Sequence, residues 1–246
     1  MHPHTFAEPA RSVVTVGDGR GSVVKTRHHR LVKNHRTGDW QALKRSRPLV
    51  VTAANCLPHF PPCHGASYTE ERTYQNLIGP LGEAPSVWAE CLFADPIADI
   101  AVLGEPDSQD LSDEYDAYEA LIEATPALRM SDPKENTGPA WLLSLDQQWL
   151  ACDVEHSGAS SPWYIRNAAK PGIQSGMSGS PILNHDRTAA IGVICISGGA
   201  TEGGLNPRLA VNLPAWMAPR AKPITAPAWS GGLFDFHTYT GPKSSG

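Results

Sequence analysis

The segment Gly176-Met177-Ser178-Gly179-Ser180-Pro181 says more about fold and chemistry than any other stretch of this 246-residue chain. A serine hydroxyl is a weak nucleophile, so it needs a base to take its proton and donors to hold the developing oxyanion. Glycine at position 176 permits a tight turn in which its own N–H and that of Ser178 point at one spot. Gly179 leaves room for a substrate backbone. Taken alone, the segment is also compatible with an ordinary Gly/Ser turn.

Two further segments place a polar residue at the end of an apolar strand. In Pro48–Cys56 (PLVVTAANC), the apolar run ends in Thr-Ala-Ala, and Asn55 follows it. In Ala94–Leu103 (ADPIADIAVL), Asp99 opens an apolar strand. A carboxylate in that position is largely buried and needs a partner. The alternative is a turn residue that only begins the strand.

Together, the three segments resemble the signatures of chymotrypsin-like serine proteases: Thr-Ala-Ala-His-Cys, an Asp-Ile-Ala-Leu strand and a Gly-Asp-Ser-Gly loop followed by proline. The order of histidine position, aspartate and serine also matches, whereas subtilisins and α/β-hydrolases use other orders. Ser180 further departs from the Gly-x-Ser-x-Gly elbow of α/β-hydrolases. Gly19–Val24 resembles the family's early Gly-x-Gly-Ser strand, and the likeness extends from Val13 to Met217.

Within the family, Ser178–Asn184 is most similar to bacterial glutamyl-endopeptidase-like and HtrA-like proteases, although the peptide-binding domain that HtrA enzymes append is not visible. The resemblance implies that Ser178 is the nucleophile, that Asp99 orients the base, and that the N–H groups of Gly176 and Ser178 form the oxyanion hole. It also implies a protein or peptide substrate and no cofactor.

Asn55 stands where the resemblance places the catalytic histidine. An amide has no basic lone pair near neutral pH, so it cannot shuttle a proton. Losing a triad member lowers turnover by about 10⁶-fold, and about 10³–10⁴-fold over water survives. We therefore expect a strongly impaired protease. The asparagine is either an engineered replacement or natural decay into a pseudoprotease. His59 and His64 are close in sequence, but surface histidines are the simpler interpretation of both.

The resemblance also locates a substrate pocket and bears on activation. The pocket would be lined by Gly172, Ile173, Gln174, Cys195, Ile196, Ser197 and Gly198. Gly172 stands where trypsin-like enzymes carry an acid, so we expect an uncharged, small to medium side chain before the scissile bond. Met177 replaces the aspartate that pairs with a newly cut N-terminus in zymogen proteases, so we expect no activation by N-terminal cleavage.

The texture of the chain independently favours an all-β fold. Short β-branched runs alternate with Gly, Pro, Asn and Asp, a pattern typical of a sandwich or a barrel pair. With the resemblance, this predicts two six-stranded antiparallel β-barrels of the chymotrypsin type. Leu111–Leu121 has apolar residues at helical spacing among acids, which predicts a short helix in the connection between the barrels.

These patterns predict a domain organisation. Residues 1–221 would form a trypsin-like protease domain, with the first barrel at 12–104, an acidic connection at 105–138 and the second barrel at 139–217. Residues 222–246 would form an irregular tail rich in Pro, Gly and aromatic residues.

Composition narrows the function classes. The net charge of −5 argues against general affinity for nucleic acid. The basic stretch Arg27–Arg47 and the acidic stretch Glu105–Glu123 are either solvated surfaces or docking faces for a regulatory protein. The start of the chain has no secretory pattern and no window is long and apolar enough for a bilayer, so we expect a cytoplasmic protein without a membrane partner.

Cysteine usage favours reduced thiols, because the five cysteines are an odd number without a secretory signal. Cys56, His59, Cys63 and His64 could ligate zinc, but their spacing is not a common zinc pattern. A local Cys56–Cys63 bridge is the other alternative, and we expect no metal.

The leading hypothesis is an impaired serine endopeptidase. The rival is a pseudoprotease that binds peptides or proteins in the same cleft without cutting them. An esterase without proteolytic activity is chemically allowed, but no residue pattern supports it.

Overall fold

The structure is a computed structural model that describes residues 9–25, 28–33, 40–45, 48–62, 69–131, 137–156, 163–195 and 209–212. Within these ranges the chain is mostly β, with one α-helix. The strands are β1 (Val13–Val16), β2 (Gly19–Lys25), β3 (His28–Lys33), β4 (Trp40–Arg45), β5 (Pro48–Thr52), β6 (Thr73–Pro80), β7 (Val87–Asp95), β8 (Ile100–Gly104), β9 (Arg129–Met130), β10 (Gly138–Leu143), β11 (Trp149–His156), β12 (Trp163–Arg166), β13 (Pro181–Asn184), β14 (Ala189–Ile194) and β15 (Leu209–Asn212).

Six strands of the first half close into an antiparallel barrel in the order β1-β2-β5-β8-β7-β6. Strand β8 is buried along its whole length, and β5 is buried from Leu49 onward. Gly21 shows how tightly the barrel is filled, because a methyl group built on it would lie 2.7 Å from Val16 Cγ2 and 2.9 Å from Val50 Cγ1. The first predicted barrel is therefore confirmed.

The basic stretch between β2 and β5 contains a separate hairpin. Strands β3 and β4 pair antiparallel with each other and form a two-stranded sheet apart from the barrel. The stretch is therefore an excursion from the barrel, and its partner remains a prediction.

The second half forms a seven-stranded sheet in the order β13-β10-β11-β12-β15-β14-β9, with an additional pairing between β13 and β14. Strand β9 joins β14 in parallel, while the other pairings are antiparallel. Over the described ranges the structure shows this sheet with its additional β13–β14 pairing, and a second closed barrel remains a prediction. The predicted domain boundaries remain predictions, and the tail at 222–246 lies outside the described residues.

The predicted helix is present as α1 (Ser112–Ala124), between β8 and β9. It packs on β7 and buries Tyr118 and Ile122. The Tyr118 hydroxyl donates a hydrogen bond to the Leu103 carbonyl at 3.4 Å. Asp113, Asp116 and Glu123 are exposed, as expected for the outer face of an amphipathic helix. In the described part of the chain, no helix is long and apolar enough to cross a membrane.

One apolar core joins the two halves. It contains barrel residues such as Val50 and Leu103 and also Leu183, Ala190 and Val193 from the second sheet. A second cluster, built around Leu142, Met177 and Ile182, lies within the second half. The joint between the halves is therefore packed like an interior.

Tyr118 is the main anchor of α1, which gives a test of how the connection is held. Because its side chain is almost completely buried, Tyr118→Ala should lower the free energy of unfolding by about 3–5 kcal/mol through lost packing and a residual cavity. Urea denaturation would measure the change. The matched control is Tyr115→Ala, because Tyr115 lies on the same helix and is only half-buried. Equal effects of the two substitutions would contradict this account of how the helix docks.

Candidate active site

The structure brings the three predicted triad positions together. The Ser178 hydroxyl donates a hydrogen bond to Asn55 Oδ1 at 3.0 Å. The Asn55 backbone N–H donates to Asp99 Oδ1 at 2.8 Å. Residues separated by 44 and 123 positions in sequence thus form one connected group, with position 55 between the carboxylate and the serine.

Asn55 is presented by a short 3₁₀ turn that follows β5. The turn covers Ala54–Cys56, and the N–H groups of Cys56 and Leu57 donate to the carbonyls of Ala53 and Ala54 at 3.0 and 3.1 Å. Ala54 and Cys56 are buried while Asn55 is exposed. The apolar neighbours hold the turn down, and the polar residue is left facing the serine.

Asp99 directly precedes β8, and its two carboxylate oxygens differ in their hydrogen bonding. Oδ1 accepts from the Asn55 N–H, whereas Oδ2 is buried and has no hydrogen-bond partner among the described residues. Burial raises the pKa of Asp99, and the N–H groups of Asn55 and Ala54 partly oppose that rise. The backbone has a φ of +53°, a left-handed conformation that non-glycine residues seldom adopt. The carboxyl group is thus held in place with one acceptor unused.

Cys195 contacts the backbone of Asp99. Its thiol donates to the Asp99 carbonyl at 3.1 Å, and its side chain is fully buried. The structure therefore connects this predicted pocket residue to the backbone that carries the carboxylate. Its role in a substrate pocket remains a prediction.

The serine loop consists of two consecutive turns with glycine at the third position of each. The Met177 N–H donates to the Gln174 carbonyl at 3.2 Å, and the Ser180 N–H donates to the Met177 carbonyl at 2.9 Å. Gly176 and Gly179 have φ values of +89° and +78°, which suit type II turns. Met177 is fully buried in the core of the second half and anchors the loop. The N–H groups of Gly176 and Ser178, predicted to hold an oxyanion, flank this anchored residue.

The serine backbone is also bound to the first barrel. The Arg20 N–H donates to the Ser178 carbonyl at 2.8 Å. A methyl group built on Gly179 would lie 1.9 Å from the Arg20 carbonyl oxygen and 2.5 Å from Thr52 Oγ1. Glycine at position 179 is therefore required by close approach of the two halves, as well as by its positive φ.

Three of the predicted pocket residues, Gly172, Ile173 and Gln174, belong to the segment that leads into Gly176 and Ser178. Gly172 has a φ of +80°, and a methyl group built on it would meet no atom within 4 Å. Ile173 is half-buried against the apolar cluster of the second half, and Gln174 is exposed. Ile196, Ser197 and Gly198 lie outside the described residues, so the width of the pocket and its preference remain predictions.

The proposed zinc ligands can be followed only in part. His59 packs edge-on against the Tyr74 ring, and its carbonyl accepts from the Tyr74 hydroxyl at 2.8 Å. Cys63 and His64 fall outside the described ranges. Within those ranges, no group of three His, Cys, Asp or Glu side chains could hold a metal. Cys56, Cys91 and Cys152 are buried free thiols, and Cys195 is buried as well.

Sequence reasoning missed Arg20. Its side chain is buried and its guanidinium donates to main-chain carbonyls of the second half. The available signal was an arginine inside the Gly-Arg-Gly-Ser-Val-Val run that resembles an early strand of the family, because an arginine among small and apolar strand residues needs partners if it is buried.

No family model matches the sequence, and no curated protein matches it significantly. Among solved structures, the chain is similar to the NS6 protease from murine norovirus 1, with a TM-score of 0.45 and 14% sequence identity. The match covers 86% of this chain and 93% of that chain. This similarity is too low to transfer a function. The barrel, the sheet and the helix are consistent with a chymotrypsin-like fold, and the function is argued from the site.

The partly buried carboxylate of Asp99 predicts a pH dependence of stability. Because the pKa of Asp99 is raised above 3.8 in the folded protein, the folded chain holds this proton more tightly than the unfolded chain. The resulting stabilisation is complete below the unfolded-state pKa and is lost as pH rises through the folded-state pKa. Asp99→Asn removes the ionisation and keeps an oxygen for the Asn55 N–H.

The free energy of unfolding of the unsubstituted chain, minus that of Asp99→Asn, should therefore fall as pH rises from below the unfolded-state pKa of Asp99 to above its folded-state pKa. Urea denaturation across this range would measure it, with Asp113→Asn on the exposed face of α1 as the control. A difference that stays constant with pH would refute the assigned burial of Asp99.

Proposed function

We propose that this chain is a serine endopeptidase whose turnover is strongly impaired because Asn55 occupies the position of the general base. Ser178 is the nucleophile, Asp99 is the group that orients the base, and the N–H groups of Gly176 and Ser178 stabilise the oxyanion. The substrate is a protein or peptide, and no cofactor takes part.

The observation that carries the proposal is the arrangement of unused and mismatched hydrogen-bonding groups around position 55. Asp99 Oδ2 is buried without a donor among the described residues, while the Ser178 hydroxyl donates to the side chain of Asn55. A buried carboxylate oxygen without a donor costs about 1–3 kcal/mol. An unpaired carboxylate oxygen is expected here if the residue at position 55 lacks the hydrogen-bond donor that the site can accommodate.

A histidine at position 55 would meet both requirements. One ring nitrogen would donate to Asp99 Oδ2, and the other would accept from the Ser178 hydroxyl, as a general base requires. The carboxylate would then fix the tautomer and stabilise the imidazolium formed during attack. Asn55 keeps the contact to the serine through Oδ1, but that oxygen is too weak a base to take the proton.

The remaining chemistry needs no further group. After proton transfer, Ser178 Oγ would attack the scissile carbonyl, and the developing negative charge would fall between the N–H groups of Gly176 and Ser178. The imidazolium would return the proton to the leaving amine, and water would release the acyl group by the same route. In the chain with Asn55, only binding and the oxyanion donors would act.

The second candidate is a pseudoprotease that binds peptides or proteins without cleaving them. The hydrogen bond between the Ser178 hydroxyl and an amide oxygen favours it, because that contact holds the serine protonated and unreactive. The same cleft would serve both candidates, so only the response to a restored base separates them.

Asn55→His should raise peptide hydrolysis by about 10³-fold or more, because it restores general-base catalysis to an otherwise complete site. The same substitution should accelerate labelling of Ser178 by a fluorophosphonate. Hydrolysis of a peptide library by purified Asn55→His protein would measure the gain. It would also test the expected preference for an uncharged, small to medium residue before the scissile bond.

The controls separate restored catalysis from a contaminating protease. Asn55→His with Ser178→Ala should hydrolyse nothing, and Asn55→Gln should behave like the unsubstituted chain because it remains an amide. A folded Asn55→His protein that neither cleaves peptides nor labels Ser178 would reject the endopeptidase and favour the binding module.

A further inference from the structure

Arg20 is a buried cation in the wall of the first barrel. Its residue surface is only 7% exposed, although it lies in β2 among apolar strands. Burial lowers its pKa, and the negative charge of Asp146 partly offsets that effect. A buried guanidinium is tolerated only where its donors are satisfied, so its contacts indicate what it was placed to hold.

The guanidinium holds the turn that joins β10 and β11. Nη1 donates to the Ser144 carbonyl at 2.7 Å and approaches the Leu143 carbonyl at 3.4 Å, while Nη2 donates to the Leu145 carbonyl at 3.0 Å. Three successive carbonyls of the second half thus converge on one side chain from the first. The planar fork of arginine suits this arrangement, whereas the single ammonium of lysine would reach fewer of them.

The turn held by Arg20 reaches the serine loop. Leu145 is 42% exposed at its tip, and a methyl group built on Gly176 would lie 3.4 Å from Leu145 Cδ2. The β10–β11 turn therefore packs beside the glycine whose N–H is assigned to the oxyanion hole. A shift of the turn would remove the support on that side of the loop.

The backbone of the same arginine holds the other end of the loop. The Arg20 N–H donates to the Ser178 carbonyl at 2.8 Å, and the Arg20 carbonyl accepts from Thr52 Oγ1 at 2.6 Å. Thr52 ends the strand that leads to Asn55. The backbone of Arg20 thus contacts the Ser178 backbone directly. Its side chain holds the β10–β11 turn, which packs beside Gly176.

We propose that Arg20 is a positioning residue that fixes the Gly176–Ser178 turn by clamping the β10–β11 turn from the first barrel. This inference rests on the proposed function where it concerns catalysis, but the clamp itself can be tested without any activity. Arg20 contacts the Ser178 carbonyl and not its hydroxyl, so its effect on catalysis would be indirect.

The first experiment uses the chain with Asn55 and measures backbone amide hydrogen exchange by mass spectrometry. Arg20→Met keeps the length of the side chain and removes its donors. We expect exchange to rise about tenfold or more in the segments 143–149 and 174–180, with little change in β8. The control is Arg129→Met, because Arg129 is exposed in β9. Unchanged exchange in 174–180 would overturn the proposal.

The second experiment uses the Asn55→His background. If the oxyanion donors lose alignment, Arg20→Met should lower kcat by about 10- to 100-fold, with KM changed less than about threefold, since one such donor is worth about 10²–10³-fold in kcat. Arg20→Lys should fall between, and Leu145→Ala combined with Arg20→Met should be less than additive because both act through one turn. An equal kcat for Arg20→Met and Arg129→Met would overturn the proposal.

The two experiments keep the two proposals apart. If Asn55→His is inactive and Arg20→Met still raises exchange in 174–180, the endopeptidase is rejected and the clamp stands. If Asn55→His is active and Arg20→Met alters neither exchange nor kcat, the clamp is rejected and the endopeptidase stands. Should Arg20→Met fail to fold, Arg20→Lys is expected to show a smaller rise in exchange in the same two segments, and its absence would overturn the clamp.

Discussion

The structure depends on the close main-chain contact between β2 and the serine loop. The Arg20 N–H binds the Ser178 carbonyl at 2.8 Å, and Gly179 approaches the Arg20 carbonyl so closely that no side chain fits between them. A buried backbone contact of this kind tolerates little displacement, because both polar groups would lose their partners without gaining water. The position of Ser178 is therefore set by the first barrel, although its loop belongs to the second half.

The same contact explains how a site with partners from distant strands acquires its geometry. Asn55 follows the end of β5, and Asp99 directly precedes β8. These two strands are neighbours in the barrel, so the barrel alone brings the two residues together. Ser178 joins them only when the halves dock. The shared apolar core and the Arg20 guanidinium provide that docking, since both span the joint. The site is therefore complete only when the two halves are packed together.

Sequence patterns predicted the features that depend on local sequence or on the spacing of apolar residues. The strand before Asn55, the acid at the start of the strand after Asp99 and the tight turns around Ser178 follow from periodicity and glycine placement. The predicted helix agrees with the observed one to within a few residues at each end. They did not reveal the direction of the Arg20 side chain, which depends on a turn more than 120 residues away. Nor did they predict that β9 joins the second sheet, because its pairing with β14 links segments far apart in sequence.

The contrast between Asp99 and Asn55 bears on how the site came to its present composition. A site adapted to binding alone gains nothing from a buried carboxylate with an unused oxygen, and an amide or apolar residue at position 99 would avoid its desolvation. Asp99 nevertheless remains, held by a left-handed backbone and by the Asn55 N–H. The glycines at 176 and 179 likewise keep conformations that other residues adopt only with strain. Under the proposed function, a base at position 55 that accepts a proton from Ser178 would complete these contacts, and a change at that one residue would account for the mismatch more simply than loss of function across the whole site.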